Sequence, residues 1–512
     1  MADNLASYKV FCQGGLNTSR DVLSQGETAP GSAIAMINYE PAVTGGYRKI
    51  SGYSNDYGTV PGSGDVLGVC VTNGINDGIL AARWDNSSTD YLYYWNDTTS
   101  DWVTVTTPGT VDVSTVSKVR FTRFNWGYPE VFITDGVNPA AVYNGTTYTQ
   151  ITHANAPTSP KVSHIFKTHM FLAGDSSEPT NLWFSAPYDE YNYSPADGAG
   201  VINVGFPIVA IKSFRDALYI FGSNNIRKLT GNNIANFVLE EVTDDLGCLA
   251  TDSVMEIGGD LLFLSQDGLR PVSGTDKIGD VNLETVSRDI QSIFTEIVFD
   301  IDLEGLNAVV IRQKTQFRIF FKAAESQGII GGFRQVEGGL QFEYGQLLGI
   351  EATCADSGYL GQYEYVIHGD SDGKVHRQEQ GTSFDGNDIF SVYQTPYLHM
   401  QDPEVRKIIH TVSTYLRSEG DSQIVLSVVY DYGDFDTLSP TNYTLTTAGA
   451  AAYYSESLYD SSAIFDGNPS PVQRTNLSGS GKSVSFKYVT NDTSASHSIQ
   501  GLVVTFGVGD RL

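Results

Sequence analysis

The chain has 512 residues and a formal net charge of −28, from 31 Lys and Arg against 59 Asp and Glu. A surface this acidic repels phosphate, which argues against sequence-specific binding of nucleic acid. The 52 glycines, 29 tyrosines and 25 phenylalanines are typical of a mainly β protein with many turns and short strands. The cysteines Cys12, Cys70, Cys248 and Cys354 are too far apart for a metal or redox motif, so we expect four buried free thiols.

Residues 1–60 are predicted to form an N-terminal arm. They contain few apolar runs of strand length, of which Ala33–Tyr39 is the clearest. The arm either lies over a larger domain or contacts a neighbouring subunit, and the sequence leaves both interpretations open. The opening MADNLASYKV has no basic or apolar region, so no signal peptide is expected. No apolar run approaches the ~18 residues of a membrane span, so no membrane insertion is expected.

Residues 61–394 contain repeated strand–turn–strand units. One apolar anchor can be chosen in each unit: Tyr93, Phe132, Phe171, Tyr219, Phe263, Ile319 and Val366. Successive anchors are separated by 39, 39, 48, 44, 56 and 47 residues. Short antiparallel strands that repeat every ~40–45 residues are what the blades of a β-propeller require. The spacing therefore predicts a β-propeller of six or seven blades.

The clearest local signal in the propeller region is a hairpin. Leu261–Leu264 is an apolar run of strand length, and Gln266-Asp267-Gly268 follows it as the turn. Leu269–Val272 forms the returning strand. Because Pro271 has no N–H to donate, this strand is expected to be short or to lie at the edge of its sheet.

A helix is predicted after the hairpin, where it interrupts the β repeats. Apolar residues recur at helical spacing over Leu283–Phe294, and Asp280 or Asn282 is a suitable N-cap. We find no comparably clear helix elsewhere in the sequence. The helix either plugs the propeller or packs between subunits, and Ile290 and Phe294 would make the subunit contact.

Residues 395–512 are predicted to form a separate C-terminal β domain. The alternation of Val484, Phe486 and Tyr488 indicates a half-buried strand. About 110 residues of separated strands favour a small β-sandwich-like domain.

No constellation of residues points to catalysis. The acidic turns Gly369–Gly373 and Asp431–Asp436 could place carboxylates around calcium, but they lack the bidentate Glu of an EF-hand loop, so they are either structural turns or ion sites. The acid pairs Glu240-Glu241 and Asp244-Asp245 are adjacent in sequence, so in a strand they point to opposite faces and cannot flank one glycosidic bond. The sequence contains no nucleophile elbow, zinc-protease motif or phosphate-binding loop. We therefore expect no catalytic, cofactor-binding or metal-binding residues, and a protein that is not an enzyme.

Basic residues gather at Arg312, Lys314, Arg318 and Lys322. Charges at alternate positions usually form one solvated face of a strand. A subunit contact with acidic neighbours is the other interpretation, given the strongly negative remainder of the chain.

Several of these segments resemble one family. They are GGLNTSRDVLSQG, ISGY at Ile50–Tyr53, FLSQDGLRPVSG, ETVSRDI and SVVYDYGDFD at Ser427–Asp436. Together they are similar to the tail nozzle proteins of short-tailed bacteriophages, which include tail tubular protein B and head-completion or stabilisation proteins. The resemblance implies a homo-hexameric ring in the virion tail, assembled in the host cytoplasm. It also implies docking to the adaptor ring above and to fibres or spikes nearby.

A nozzle of this kind conducts DNA and ejected proteins without binding DNA sequence-specifically. Because phosphate contacts would hold the duplex, we hypothesise that acidic loops line the lumen. The main alternative is a carbohydrate-binding or receptor-binding propeller of a phage tail, in which Trp84, Trp95 and Trp102 could stack on sugars. A polysaccharide depolymerase and a capsid decoration protein are weaker alternatives.

Overall fold

The fold is given by a computed structural model that describes residues 5–42, 45–84, 90–108, 111–273, 285–300, 302–321, 327–336, 339–434, 440–447 and 471–508. The chain is mainly β, as predicted. The strands before the propeller are β1 (Leu5–Phe11), β2 (Ala35–Ile37), β3 (Tyr39–Pro41), β4 (Tyr47–Lys49) and β5 (Tyr53–Ser54).

The arm contains more regular structure than the sequence indicated. Strand β1 was not predicted, and neither was the helix α1 (Val22–Thr28). This helix begins at the N-cap Asp21, whose carboxylate accepts a hydrogen bond of 2.8 Å from the Ser24 N–H. The sequence does not predict this helix because it is short and has no apolar periodicity. The residues that it buries are Gln25 and Gly26.

Five small antiparallel sheets follow in chain order as blades 1 to 5. Blade 1 consists of β6 (Val66–Val71), β7 (Ile79–Arg83), β8 (Leu92–Asn96) and β9 (Asp101–Val105). Blade 2 consists of β10 (Arg120–Asn125), β11 (Pro129–Thr134), β12 (Ala141–Tyr143) and β13 (Tyr148–Gln150). Blade 3 consists of β14 (Val162–Phe166), β15 (His169–Ala173), β16 (Asn181–Phe184) and β17 (Gly200–Asn203). Blade 4 consists of β18 (Ala210–Phe214), β19 (Ala217–Phe221), β20 (Ile226–Thr230) and β21 (Val238–Thr243). Blade 5 consists of β22 (Met255–Ile257), β23 (Asp260–Ser265) and β24 (Gly268–Pro271).

Blade 6 is completed by a strand from the arm. After blade 5 come α2 (Gln291–Asp300) and the strands β25 (Asn307–Ile311), β26 (Gln316–Phe320), β27 (Gln327–Val336) and β28 (Gly339–Leu348). Blade 6 then consists of β29 (Cys354–Leu360), β30 (Tyr363–Gly369) and β31 (Val375–Gln378), with β5 as its fourth strand. The register pairs Gln378 with Tyr53 and Arg377 with Ser54.

The prediction of a β-propeller of six or seven blades is confirmed. Strands β6, β10, β14 and β18 pack against each other in turn, and blades 4 and 5 meet at the rings of Phe221 and Phe263, 5.2 Å apart. Strand β25 packs against β22 on one side and β29 on the other, and β29 packs against β6. Strands β25–β28 therefore fill the position between blades 5 and 6.

Most of the apolar anchors predicted from the sequence lie on equivalent strands of these sheets. Tyr93 lies on the third strand of blade 1, whereas the other six anchors lie on the second strand of their sheets. The predicted hairpin is also confirmed, since β23 and β24 pair through Ser265 and Gly268 around a two-residue turn. Strand β24, which ends at Pro271, lies at the edge of its sheet as expected.

The predicted helix is present in part. The described part begins with a 3-10 turn at Arg288–Ile290 and continues as α2 to Asp300, six residues beyond the predicted end. The predicted start at Leu283 and the N-cap candidates Asp280 and Asn282 lie outside the described residues. Ile290 and Phe294 are 0% and 1% exposed and belong to the large core that contains apolar residues of blade 5.

The last strands are β32 (Ile389–Gln394), β33 (Lys407–Ser418), β34 (Ser422–Tyr430), β35 (Tyr443–Thr447), β36 (Val472–Asn476), β37 (Ser480–Gly481), β38 (Val484–Asp492) and β39 (His497–Val508). They form two sheets that pack face to face, as the prediction of a sandwich-like domain requires. One sheet has the order β3-β4-β39-β33-β36, with β1 on β39 and β37 on β33. The other has the order β25-β26-β27-β28-β2-β32-β38-β34-β35.

This second sheet joins the propeller to the C-terminal domain. The predicted boundary near Gln394 stays a prediction, since β32, which ends there, pairs with β38 and lies in the same sheet as β25–β28. The core between the two sheets contains Val412 and Val504 from one and Phe486 and Tyr488 from the other. A hydrogen bond of 2.9 Å between the hydroxyls of Thr414 and Tyr488 connects the two sheets within this core.

The four cysteines are buried free thiols, as predicted. Among the described helices, none has the length and apolar character needed to cross a membrane.

Candidate functional sites

Segments that are far apart in sequence meet at one place, which we call the arm junction. It is formed by Gly14–Arg20 of the arm, Tyr47 on β4, Glu343 on β28 and the segment Ser287–Asp289 before α2. The Gly15 N–H donates to the Tyr47 hydroxyl at 2.8 Å, and the Gly14 N–H donates to Glu343 at 2.6 Å. Gly15 has φ of +65°, and a Cβ there would crowd the backbone of β28, so the position requires glycine.

Asn17 connects the arm to the start of the helix. Its side-chain amide donates to the Asp289 carboxylate at 2.8 Å, and its side-chain oxygen accepts from the N–H groups of Ser19 and Arg20. The Thr18 N–H donates to the Asp289 carbonyl at 2.8 Å. The arm is therefore held against the helix by both main-chain and side-chain hydrogen bonds.

Blade 5 joins the same junction through Ser287. The Ser287 hydroxyl accepts a hydrogen bond of 3.0 Å from the Leu269 N–H on β24. The Tyr344 hydroxyl on β28 donates to the Val286 carbonyl at 2.9 Å. GGLNTSRD, GGYRKISGY, SQDGLR and ETVSRDI thus contact one another directly or through β28, although nothing in their spacing predicts this.

The basic residues singled out in the sequence lie in an ion network within the chain. Arg318 is 1% exposed, donates to Gln378 at 2.7 Å and forms ion pairs with Glu379 and with Glu40. Lys314 pairs with the same two carboxylates, at 2.7 Å from Glu40. Burial raises the pKa of Glu379, but the charges of Arg318 and Lys314 outweigh burial and lower that pKa to about 2.

Glu40 extends the network to the C-terminal domain. Its carboxylate is 3.1 Å from Arg48, which forms a two-pronged contact with Glu419 at 2.6 and 2.7 Å. Arg48 lies in the arm and Glu419 follows β33. The network therefore ties the arm, the propeller and the C-terminal domain together.

The predicted subunit contacts stay a prediction. Arg318, Ile290 and Phe294 are buried within the chain, and Lys314 is held by Glu40 and Glu379. Among those that the structure describes, Arg312 is the most open, with 52% of its side chain exposed and Glu364 at 3.8 Å. Lys322 lies outside the described residues.

The inner strands of the propeller line a cavity of about 360 Å³ that is open to solvent, which we call the axial cavity. It is lined by β6, β10, β14, β18, β25 and β29 together with residues 251–254, which precede β22. The first strands of blades 1, 2, 3, 4 and 6 and of the sheet between blades 5 and 6 therefore line one chamber, and blade 5 contributes only the segment before β22. Charged side chains from several of these segments face it, and the repeat spacing gave no sign of them.

A pair of carboxyls was also missed in the sequence. Glu190, after β16, is buried, and Glu130 lies on β11. Burial and the neighbouring Glu130 raise the pKa of Glu190 to about 7. The adjacent pairs considered from sequence are instead surface acids, with Glu240 near Lys228 and Glu241 near Arg227.

The other sequence candidates have structural partners. In the Gly369–Gly373 turn, Asp370 accepts hydrogen bonds from the Lys374 N–H at 2.7 Å and from His376 at 2.9 Å. Asp431 similarly accepts from the Lys482 and Ser483 N–H groups. No cluster of three or more potential metal ligands occurs within the described ranges.

The tryptophans proposed for sugar stacking are largely in the core. Trp95 and Trp102 are 8% and 6% exposed, and their rings lie 5.5 Å apart. The Trp102 indole donates to the Tyr57 carbonyl at 2.7 Å. Trp84 is half-buried beside the core of blades 1 and 2.

Comparisons with known proteins give structural likenesses only. Neither the protein-family models nor the curated proteins give a match. KlHsv2 with loop 6CD replaced by a Gly-Ser linker matches at 10% identity over 53% of this chain and 82% of its own, with a TM-score of 0.33. The exo-beta-1,3-galactanase of Phanerochaete chrysosporium with galactose matches at 10% identity over 89% of this chain and 100% of its own, with a TM-score of 0.27. BBS1N in complex with ARL6DN matches at 10% identity over 66% of this chain and 98% of its own, with a TM-score of 0.37. Scores this low carry no argument about function.

Proposed function

We propose that this chain is a subunit of the ring-shaped tail nozzle of a short-tailed bacteriophage. The ring is a conduit for DNA ejection that docks to the adaptor ring above and to fibres or spikes. It is a structural virion protein, and it acts through assembly and not through catalysis.

The observation that carries this proposal is the arm junction. The segments that resemble nozzle proteins are separated by up to hundreds of residues, yet three of them meet at Asn17, Leu269 and Ser287. Tyr47, which precedes the ISGY segment, contacts the first of them at Gly15. Residues that hold a shared fold together are expected to be retained together. The resemblance therefore concerns the scaffold that joins the arm, propeller and helix, and this supports a common architecture.

The charge of the chain is consistent with a conduit. Six copies with −28 each give 6 × −28 = −168. A negative lumen would let duplex DNA slide because it offers few phosphate contacts. Replacing lumen acids by Lys is expected to slow ejection, and unchanged ejection kinetics would count against an acidic lumen.

Cryo-EM of the source particle, with this chain located by a specific antibody, tests the proposal. We expect a six-fold ring at the distal tail around a channel wide enough for duplex DNA. Density at fibre tips or on the capsid, or no chain in the particle, would refute the nozzle assignment.

A carbohydrate-binding propeller is the second candidate, because blade 3 borders a surface cleft of about 530 Å³. Trp183 and Tyr193 line it, and the buried Tyr193 hydroxyl has no hydrogen-bond partner among the described residues. Because Trp183 and Tyr193 are only 6% and 2% exposed, the cleft offers a sugar little aromatic surface, which makes this candidate weaker than the nozzle. A glycan array tests this, and binding that is lost in Trp183→Ala would favour it over the nozzle.

A further inference from the structure

The axial cavity carries a positive charge inside a strongly negative protein. Its charged lining consists of Lys118, Arg120, Arg123 and Lys212 against Asp252 and Asp356. These six groups sum to 4 − 2 = +2, whereas the whole chain carries −28. A local excess of cations in a confined space attracts anions.

Three of the four cations have carboxylate partners. Lys118 lies 2.9 Å from the Asp252 carboxylate, and Arg120 donates to the same carboxylate at 2.8–3.1 Å. Arg123 lies 3.2 Å from Asp356 and also donates to backbone carbonyls. The charges of Arg120 and Lys118 hold the pKa of Asp252 well below its usual range in spite of burial.

Lys212 on β18 differs from the other three. Its ammonium has no hydrogen bond or ion pair with any residue in the described part of the chain, and it lines the cavity. Burial lowers its pKa, and the charges of Arg123 and Arg312 lower it further, while Glu256 and Asp356 act in the opposite direction from a distance. Lys212 is half-buried, and no carboxylate among the described residues neutralises its ammonium, so an anion in the cavity would be attracted to it.

The histidine next to Lys212 does not serve as that partner. His164 on β14 is hydrogen-bonded through Nε2 to the Ser213 hydroxyl at 2.8 Å. Burial and the charge of Lys212 lower the pKa of His164 to about 3, so the ring is neutral at pH 7. His164 therefore supplies no negative charge to Lys212.

We propose that the axial cavity binds a small oxyanion, a phosphate or a carboxylate, with Lys212 as its main ligand and Arg123 as a second donor. The volume of about 360 Å³ is that of a small-molecule site. Asp356 competes for Arg123, so Lys212 supplies most of the specificity for the anion. This inference stands independently of the nozzle assignment.

Isothermal titration of the full chain with inorganic phosphate and, separately, with glucuronate tests it. The buffer contains no other oxyanion, and NaCl keeps the ionic strength constant at pH 7. We expect one anion per chain and binding about tenfold or more weaker in Lys212→Met, because a charged hydrogen bond is lost. Lys212→Arg keeps the charge and is expected to retain binding.

Lys228→Met is the matched control. Lys228 lies on β20 of the same blade, but its ammonium is near Glu240 at the surface, 3.6 Å away. This variant is expected to bind the anion like the wild type. Binding of phosphate alone identifies a phosphate site, whereas glucuronate binding identifies a carboxylate site. Binding of neither, or equal weakening in Lys212→Met and Lys228→Met, overturns the proposal.

A second measurement does not depend on how the variant folds. Phosphate or glucuronate is expected to raise the thermal unfolding midpoint of the wild type above that in NaCl at equal ionic strength. Without an anion, Lys212→Met is expected to be about as stable as the wild type, because Lys212 is half-buried and no ion pair is lost with it. A wild-type midpoint that responds only to ionic strength overturns the proposal.

Discussion

Removing the charge of Glu379 is expected to destabilise the protein in a way that depends on pH. Lowering its pKa from 4.5 to about 2 corresponds to about 3 kcal/mol of stabilisation of the charged form. The pKa in the fold lies below that in the unfolded chain. The stabilisation is therefore complete above pH ~4.5 and is lost as the pH falls towards 2.

The substitution Glu379→Gln keeps the shape of the side chain but leaves Arg318 with Glu40 at 3.5 Å as its remaining carboxylate. We expect the free energy of unfolding at pH 7 to fall by about 3 kcal/mol, since breaking a buried pair leaves a charge without compensation. By pH 3, more than half of the difference from the wild type is expected to have disappeared, because the wild type has begun to lose the same interaction.

Urea unfolding followed by far-UV circular dichroism at pH 7 and pH 3 measures both effects. Glu240→Gln is the control, because Glu240 is about half exposed and its surface pair with Lys228 is worth less than ~1 kcal/mol. Equal losses of unfolding free energy in Glu379→Gln and Glu240→Gln at pH 7 would contradict this prediction. A loss of unfolding free energy in Glu379→Gln that is as large at pH 3 as at pH 7 would also contradict it.

Asn17→Ala removes the hydrogen bond to Asp289 and is expected to cost about 1–3 kcal/mol in urea unfolding, with faster amide exchange in the arm. Gly52→Ala is expected to lower the thermal midpoint, because a Cβ there would overlap a backbone carbonyl of the facing loop; an unchanged midpoint contradicts this. The pKa of Glu190 is raised to about 7, so the fold favours its protonated carboxyl. The resulting contribution to the free energy of unfolding is complete below pH ~4.5 and is lost as the pH rises through 7. Glu190→Gln should therefore raise the unfolding free energy at pH 8 and leave it unchanged at pH 4. Burial raises the pKa of the Cys12 thiol to about 12, so this thiol should react with a disulfide reagent at pH 8 only after unfolding; labelling of the folded protein would contradict this.

The propeller could be predicted because its signal is local and repeated. Each blade needs an apolar second strand that packs on both faces, so anchors such as Phe132 and Phe263 recur at intervals of 39 to 56 residues. The hairpin at Asp267 and the edge position of Pro271 follow from turn chemistry and the missing N–H, which are also local. The short helix at Val22–Thr28 was missed because it lacks an apolar stripe.

What the sequence by itself determined is therefore the class of fold, the repeat and the strands that carry its anchors. Only the tertiary structure decided which distant strands pair, such as β5 with β31 and β1 with β39. Strand periodicity specifies which face of a strand is buried but not which edge it meets, since backbone hydrogen bonds are the same for every partner. For the same reason the carboxylates around Arg318 and the unpaired ammonium of Lys212 became visible only when segments far apart in the chain came together.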